Sequence, residues 1–167
     1  MSPAVDPERA KVERGDEVLR STLESVIDDP TVFVKGAALG LLTIVELAKL
    51  ALSRSRESAV RAVAEQIRMS QIALLRELGG VAGRKRLDVP KELVFDDEQM
   101  LTAAPAESGA PFDVWFAVQT NAELLKALTL FETAGRMNDA ELAAFARRTL
   151  PKLETDRARV TSLRMAA

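Results

Sequence analysis

The chain has 167 residues, of which 47% are hydrophobic and 29% charged, and its net charge at neutral pH is −2. This length and composition fit one globular domain with a full core, and the near-neutral charge gives no whole-molecule argument for binding to nucleic acid or to an anionic membrane. Because the chain contains no histidine, cysteine or tyrosine, it cannot form a disulfide or build a metal site from imidazole or thiolate ligands.

The first predicted element is an amphipathic helix from about Pro7 to Ile27, in an N-terminal segment that we assign to residues 1–29. Asp6 is suited to cap the first turn, and proline is favoured at the first helical position. The apolar residues of the segment fall on one stripe, formed by Val12, Leu19, Leu23, Val26 and Ile27. The terminus lacks the basic region followed by an apolar region that marks a secretory signal, so we expect a cytoplasmic protein.

Four longer helical segments follow, in two pairs. The first pair, about Thr31–Ser53 and Glu57–Val81, is joined by a short polar run, and the second pair, about Phe112–Ala134 and Asp139–Arg164, by a tight turn. Connections this short make the members of each pair antiparallel neighbours. A long connection that contains a short helix, about Asp96–Ala104, separates the two pairs.

Two antiparallel helical hairpins joined by a long crossover are the layout of ferritin-like four-helix bundles. We therefore predict an all-α fold, in which residues 30–167 form such a bundle and residues 1–29 add an N-terminal helix. The last helix is predicted to continue across Pro151, because its apolar stripe stays in phase on both sides. The apolar stretch Val32–Leu52 is interrupted by three charged residues, so we expect no membrane span.

The apolar faces of the four long helices predict which residues point inward. These are Ala37, Leu41, Ile44, Ala48 and Ala51; Val60, Val63, Ile67, Leu74 and Leu78; Val114, Ala117, Leu124, Leu128 and Phe131; and Leu142, Phe145, Ala146, Leu153, Val160 and Leu163. Four polar residues fall on or beside these faces: Ser70, Gln71, Asn121, close to the centre of its face, and Asp156. An unpaired buried carboxylate is costly, so Asp156 is expected to meet a donor, be protonated or reach water.

The chain resembles the ferritin-like bacterial proteins grouped as domain-of-unknown-function family 4142, many of which are predicted to be exported. The matching segments are Glu46–Ala51, Val60–Ala64, Gly109–Asp113, Ala127–Glu132 and Phe145–Pro151. They occur in order, at the spacing of the family, over about residues 29–163. The resemblance implies a ferritin-like fold, and it implies no activity.

The same resemblance places the polar motifs of the family on this chain. The family usually carries a glutamate in the second helix, an Asp-His pair in the third and a histidine in each of the last two, and the corresponding positions here are Ile44, Ser70 with Gln71, Leu124 and Asp156. All the histidines are replaced, and the glutamate has become an isoleucine. The resemblance therefore implies a divergent member in which the inner metal-type site has been lost or rebuilt.

Three hypotheses of function follow. The first is a non-catalytic bundle without a cofactor, with a structural, stress-related or interaction role. Its N-terminal helix contacts a protein partner or a second copy, or it simply covers its own bundle, and we favour the cover. The alternative is a metal-binding protein with an oxygen-only inner site formed by Asp156, Asn121, Gln71 and Ser70, which would suit magnesium, calcium or manganese. The third is contact with nucleic acid or an anionic surface through the arginines between residues 54 and 86; a solvated, salt-bridged face explains these better, and we expect neither partner.

Trp115, the only tryptophan, lies away from the predicted core centre of its helix. It marks a buried edge, an interface or the packing site of the N-terminal helix, and we favour the buried edge.

Overall fold

The structure is a computed structural model, described for residues 28–93 and 95–163. These residues are 79% helical and contain no strand, so the predicted all-α class is confirmed. The helices are α1 (Pro30–Arg54), α2 (Ser58–Arg84), α3 (Phe95–Thr102), α4 (Ala110–Ala134) and α5 (Ala140–Thr161). The helix predicted over residues 7–27 lies outside the described residues.

Side-chain caps or a glycine explain where three of the five described helices, α1, α4 and α5, begin. The Asp29 carboxylate accepts from the Thr31 amide at 2.9 Å at the start of α1, and the Asp139 carboxylate accepts from the Leu142 amide at 3.0 Å at the start of α5. Such caps satisfy amides that have no partner within the helix. Before α4, Gly109 has φ 119° and ψ −153°, a conformation that is strained for any residue with a Cβ.

Burial of apolar residues extends α2 and accompanies the continuity of α5. α2 continues beyond its predicted end at Val81 to Arg84, through Gly79 and Gly80, because Val81 and Ala82 are buried and their packing offsets the weak helix propensity of glycine. α5 is continuous across Pro151, as its apolar stripe predicted.

Contacts among the four long helices form a closed ring around one core. α1 packs against α2 and α4, and α5 packs against the same two helices, while α3 touches α1. Aromatic residues close one end of the core: the Phe33 and Phe131 ring centroids are 5.4 Å apart, and those of Phe131 and Phe145 are 5.8 Å apart. The first turn of α1 therefore lies beside the last turn of α4.

The inward faces of α1 and α2 are confirmed, and α5 matches except that Leu163 is only half-buried. The predicted inward face of α4 is partly wrong. Val114 is 41% exposed, Ala117 and Asn121 are half-buried, and Phe116 and Thr120 occupy the inner positions instead. α4 is apolar on both its inner and outer sides, so its periodicity did not indicate which side faces the core.

One helix in the described part of the chain, α1, is long and apolar enough to cross a membrane by length and composition alone. In its most apolar window 56% of the residues are buried within the protein, as expected for a core helix. Pairing of Lys49 with Glu46 at 2.9 Å satisfies two of the charges that interrupt this helix.

Candidate functional site

The inner polar cluster is built around Asp156, whose side chain is fully buried in α5. Gln71 of α2 is also fully buried, and its Nε2 donates to Oδ2 of Asp156 at 2.8 Å. Arg159 donates from one terminal guanidinium nitrogen to Oδ1 at 2.6 Å. Both oxygens of the carboxylate therefore have nitrogen donors, and the expectation that Asp156 meets a donor is confirmed.

Arg159 connects this cluster to solvent. It lies three residues after Asp156 on α5, a spacing that puts both side chains on one face of the helix, and its side chain is 35% exposed. The guanidinium balances the charge of the buried carboxylate while its remaining donors can reach water. Gln71, Asp156 and Arg159 thus form an inner polar cluster with no net charge.

One acceptor in this cluster is unsatisfied. Gln71 turns its Nε2 toward Asp156, since a carboxylate can only accept, and its buried Oε1 then has no hydrogen-bond partner among the described residues. A buried unpaired acceptor costs about 1–3 kcal/mol. Two further buried oxygens in α4, Asp113 Oδ1 and Thr120 Oγ1, also have no hydrogen-bond partner among the described residues. Neither residue was predicted as a site residue.

A surface groove of about 480 Å³ lies between α2 and α5, next to the cluster. It is lined by Gln66, Met69, Ser70, Lys152, Thr155 and Arg159, and the Met69 side chain is 61% exposed. Arg159 is shared between groove and cluster, so its guanidinium separates the buried carboxylate from the groove.

The four predicted site residues do not converge on one point. Gln71 and Asp156 are in direct contact, whereas Ser70 is half-buried and lines the groove. Asn121 is half-buried, and its Oδ1 accepts from the Arg157 guanidinium at 3.2 Å. Arg159 was missed in the sequence analysis, although its position three residues after a buried aspartate was the signal that would have found it.

The cluster does not fit the metal site that the family resemblance implies. Within residues 28–93 and 95–163, no three acidic, histidine or cysteine residues are grouped as metal ligands. Ile44 and Leu124, the positions at which the resemblance implies a glutamate and a histidine, are fully buried apolar residues. Asp156 itself is paired with a cation of the protein.

Two of the basic residues at the end of α2, Arg84 and Lys85, are paired with carboxylates. The Lys85 ammonium lies 2.8 Å from Asp139 and Arg84 lies 2.6 Å from Glu141. The hydrogen bond from Lys85 lowers the pKa of the Asp139 carboxyl below its usual value of 3.8, and the hydrogen bond from Arg84 lowers the pKa of Glu141 below 4.5. These two residues therefore belong to a salt-bridged face.

Comparison with known proteins gives one match. The family described as Domain of unknown function (DUF4142) matches residues 21–163. No curated protein and no solved structure matches the chain. The family match spans most of the chain and all of the inner polar cluster, and we conclude that the chain belongs to the DUF4142 family.

Proposed function

We propose that the protein is a non-catalytic, ferritin-like helical bundle with an interaction or structural role, and that a hydrogen-bonded ion pair has replaced the inner metal-type site of its family. The observation that carries this proposal is the state of Asp156, whose two oxygens accept from Gln71 and Arg159 at 2.8 and 2.6 Å.

The ion pair argues against cation binding on electrostatic grounds. A divalent cation at Asp156 would have to displace the guanidinium, or lie beside it in a low-dielectric interior where like charges repel strongly. A single carboxylate with neutral amides is also a weak ligand set for a divalent cation. The cluster thus resembles the buried ion pairs that stabilise or specify a core rather than a catalytic centre.

The ferritin-like arrangement is part of the proposal. It is supported by the ring of contacts among α1, α2, α4 and α5, by the three-residue connection between α1 and α2, and by the long crossover before α4. The chain would then be a divergent member, with Ile44 and Leu124 filling the former ligand positions as core residues.

A contact role for the outer surface of α4, within the chain or with a partner, is supported by its exposed apolar residues. Val114, Val118 and Leu125 are each more than 40% exposed on this side, and contiguous exposed apolar residues mark contact surfaces. The proposed cytoplasmic location, and the absence of nucleic-acid or membrane partners, rest on the sequence alone.

The test is metal content by mass spectrometry on protein purified without a histidine tag, combined with thermal shifts against manganese, iron, magnesium, calcium and zinc. We expect no stoichiometric metal and no shift. Stoichiometric metal, or a stabilisation that Asp156→Ala abolishes and Glu154→Ala, at an exposed position of the same helix, leaves intact, would contradict the proposal.

One observation favours the alternative of an oxygen-only metal site. Gln71 Oε1 is a buried amide oxygen, of the kind that can bind a metal ion, and it lies next to a carboxylate and has no hydrogen-bond partner among the described residues. The substitution Arg159→Gln distinguishes the two candidate functions, because it removes the guanidinium that would compete with a metal ion for Asp156. If the oxygen-only site operates, this variant gains affinity for manganese or calcium, whereas an ion pair with a purely structural role gives a less stable protein with no metal response.

A further inference from the structure

The outer side of α4 is an apolar surface opposite the core. Val114, Val118 and Leu125 are 41%, 58% and 41% exposed, and their spacing of four and seven residues puts them on one stripe. Trp115 and Ala122, which are half-buried, border the same stripe. Asn121, which accepts from the Arg157 guanidinium at 3.2 Å, lies at its edge between Val118 and Leu125. We call Val114, Val118 and Leu125 the outer stripe of α4.

The inner side of α4 is equally apolar. Phe112, Phe116, Leu124 and Phe131 are fully buried against α1 and α5. Exposed apolar residues that lie together on one face of a helix mark a contact surface. The outer stripe is therefore a surface on which a further segment can pack.

The position of Asp28 indicates which segment can provide that cover. The Asn138 side chain donates to the Asp28 carboxylate at 3.4 Å, and Phe33 packs on Phe131. Residues 1–27 thus join the described structure beside the C-terminal end of α4. If residues 7–27 are helical, they are about 30 Å long, whereas the outer stripe spans about 17 Å.

The predicted N-terminal helix has a matching pattern. Val12 and Leu19 are separated by seven residues, as are Val118 and Leu125. A helix that ends at residue 27 beside the last turn of α4, and runs parallel to α4, brings Leu19 near Leu125 and Val12 near Val118. The segment also needs such a surface, because most helix stability in proteins comes from packing of an amphipathic face rather than from propensity, and its remaining positions are highly charged.

We propose that residues 7–27 pack in cis on the outer stripe of α4 as a fifth helix. Tethering favours this occupant over a second copy, because a segment joined to the surface by a few residues has an effective concentration of about millimolar. The inference does not depend on the proposed function, since a metal-binding bundle would need the same cover.

The chain has no cysteine, so a disulfide formed between two introduced cysteines reports directly that their positions are in contact. In the full chain, we expect mild oxidation to link Leu19→Cys with Leu125→Cys, and Val12→Cys with Val118→Cys, within one molecule. The control is Leu19→Cys with Ala73→Cys, because Ala73 is exposed on α2, which lies across the core from α4. Mass analysis of digests and non-reducing gels distinguish links within a chain from links between chains.

Three results would overturn the proposal: no disulfide in either α4 pair, equal linkage in the control pair, or linkage only between molecules, which would make the outer stripe a dimer contact. Amide hydrogen exchange provides a second test without cysteines. We expect residues 12–27 to be protected in the wild type and to lose at least about tenfold of that protection in Val118→Glu, but not in Ala73→Glu. A wild type without protection there would also refute the inference.

Discussion

Replacement of Asp156 by alanine and by asparagine separates the two roles of this buried carboxylate, hydrogen bonding and charge. Asp156→Ala removes the hydrogen bonds to Gln71 and Arg159, which lie at 2.8 and 2.6 Å. Hydrogen bonds to charged groups contribute about 1.5–3 kcal/mol each. The Arg159 side chain is 35% exposed and can turn to water, so its share belongs at the lower end of that range.

The variant also leaves Gln71 buried with neither of its polar atoms paired. Together these losses give a destabilisation of about 4 kcal/mol, which corresponds to a fall in Tm of about 12 °C for a chain of this size. In Asp156→Asn, the introduced oxygen still accepts from Arg159, and Gln71 can rotate its amide so that its Oε1 accepts from the introduced amide. We therefore expect a cost of only about 1–2 kcal/mol for this variant.

The assay is urea unfolding at pH 7, followed by far-UV circular dichroism and by the fluorescence of Trp115. Coincident transitions from the two probes would justify a two-state analysis. Equal destabilisation by the two substitutions would refute the reasoning, because it would show that the negative charge matters rather than the hydrogen bonds. A cost below about 1 kcal/mol for Asp156→Ala would show that the cluster contributes little.

Three further substitutions test other parts of the structure by unfolding measurements. Asp139→Ala removes the cap of α5 and should cost about 1–2 kcal/mol at pH 7. Because Lys85 lowers the pKa of the Asp139 carboxyl, the stability that this carboxylate contributes is present above pH 3.8 and is lost as the pH falls through the lowered pKa. A loss that is the same at pH 7 and pH 3 would contradict this. Gly109→Ala should cost about 1–3 kcal/mol through backbone strain alone, because a Cβ there meets open space. An unchanged free energy of unfolding would show that the backbone at this position is not strained by a side chain. Ile44→Ala should cost about 2–5 kcal/mol by opening a cavity at a fully buried position, and a cost below 1 kcal/mol would show that the core collapses around it.

The resemblance to the DUF4142 family and the all-α class were predicted from short segments and periodicity, and both are confirmed. The helix bounds were predicted to within one to three residues where caps or turns mark them. α2 was predicted too short, because its last turn depends on burial of Val81 and Ala82 rather than on local propensity. Burial of Asp156 was predicted because the apolar residues on both sides of it define a single face.

The partners of each side chain were decided by the tertiary structure. Gln71 and Asp156 are 85 positions apart in the chain, and no pattern within one helix specifies which atom of each meets the other. The sequence likewise left open which side of α4 faces the core, since both sides are apolar.

What the sequence by itself determined is local: which segments are helical, where they begin, and which faces of α1, α2 and α5 are apolar. What the tertiary structure decided is the pairing of those faces. It placed Asn121 beside Arg157, turned Val114 outward and brought Arg159 over the buried carboxylate. The physical reason is that helix propensity and capping act over a few residues, whereas the position of a polar group in the core depends on which neighbouring helix supplies its donor.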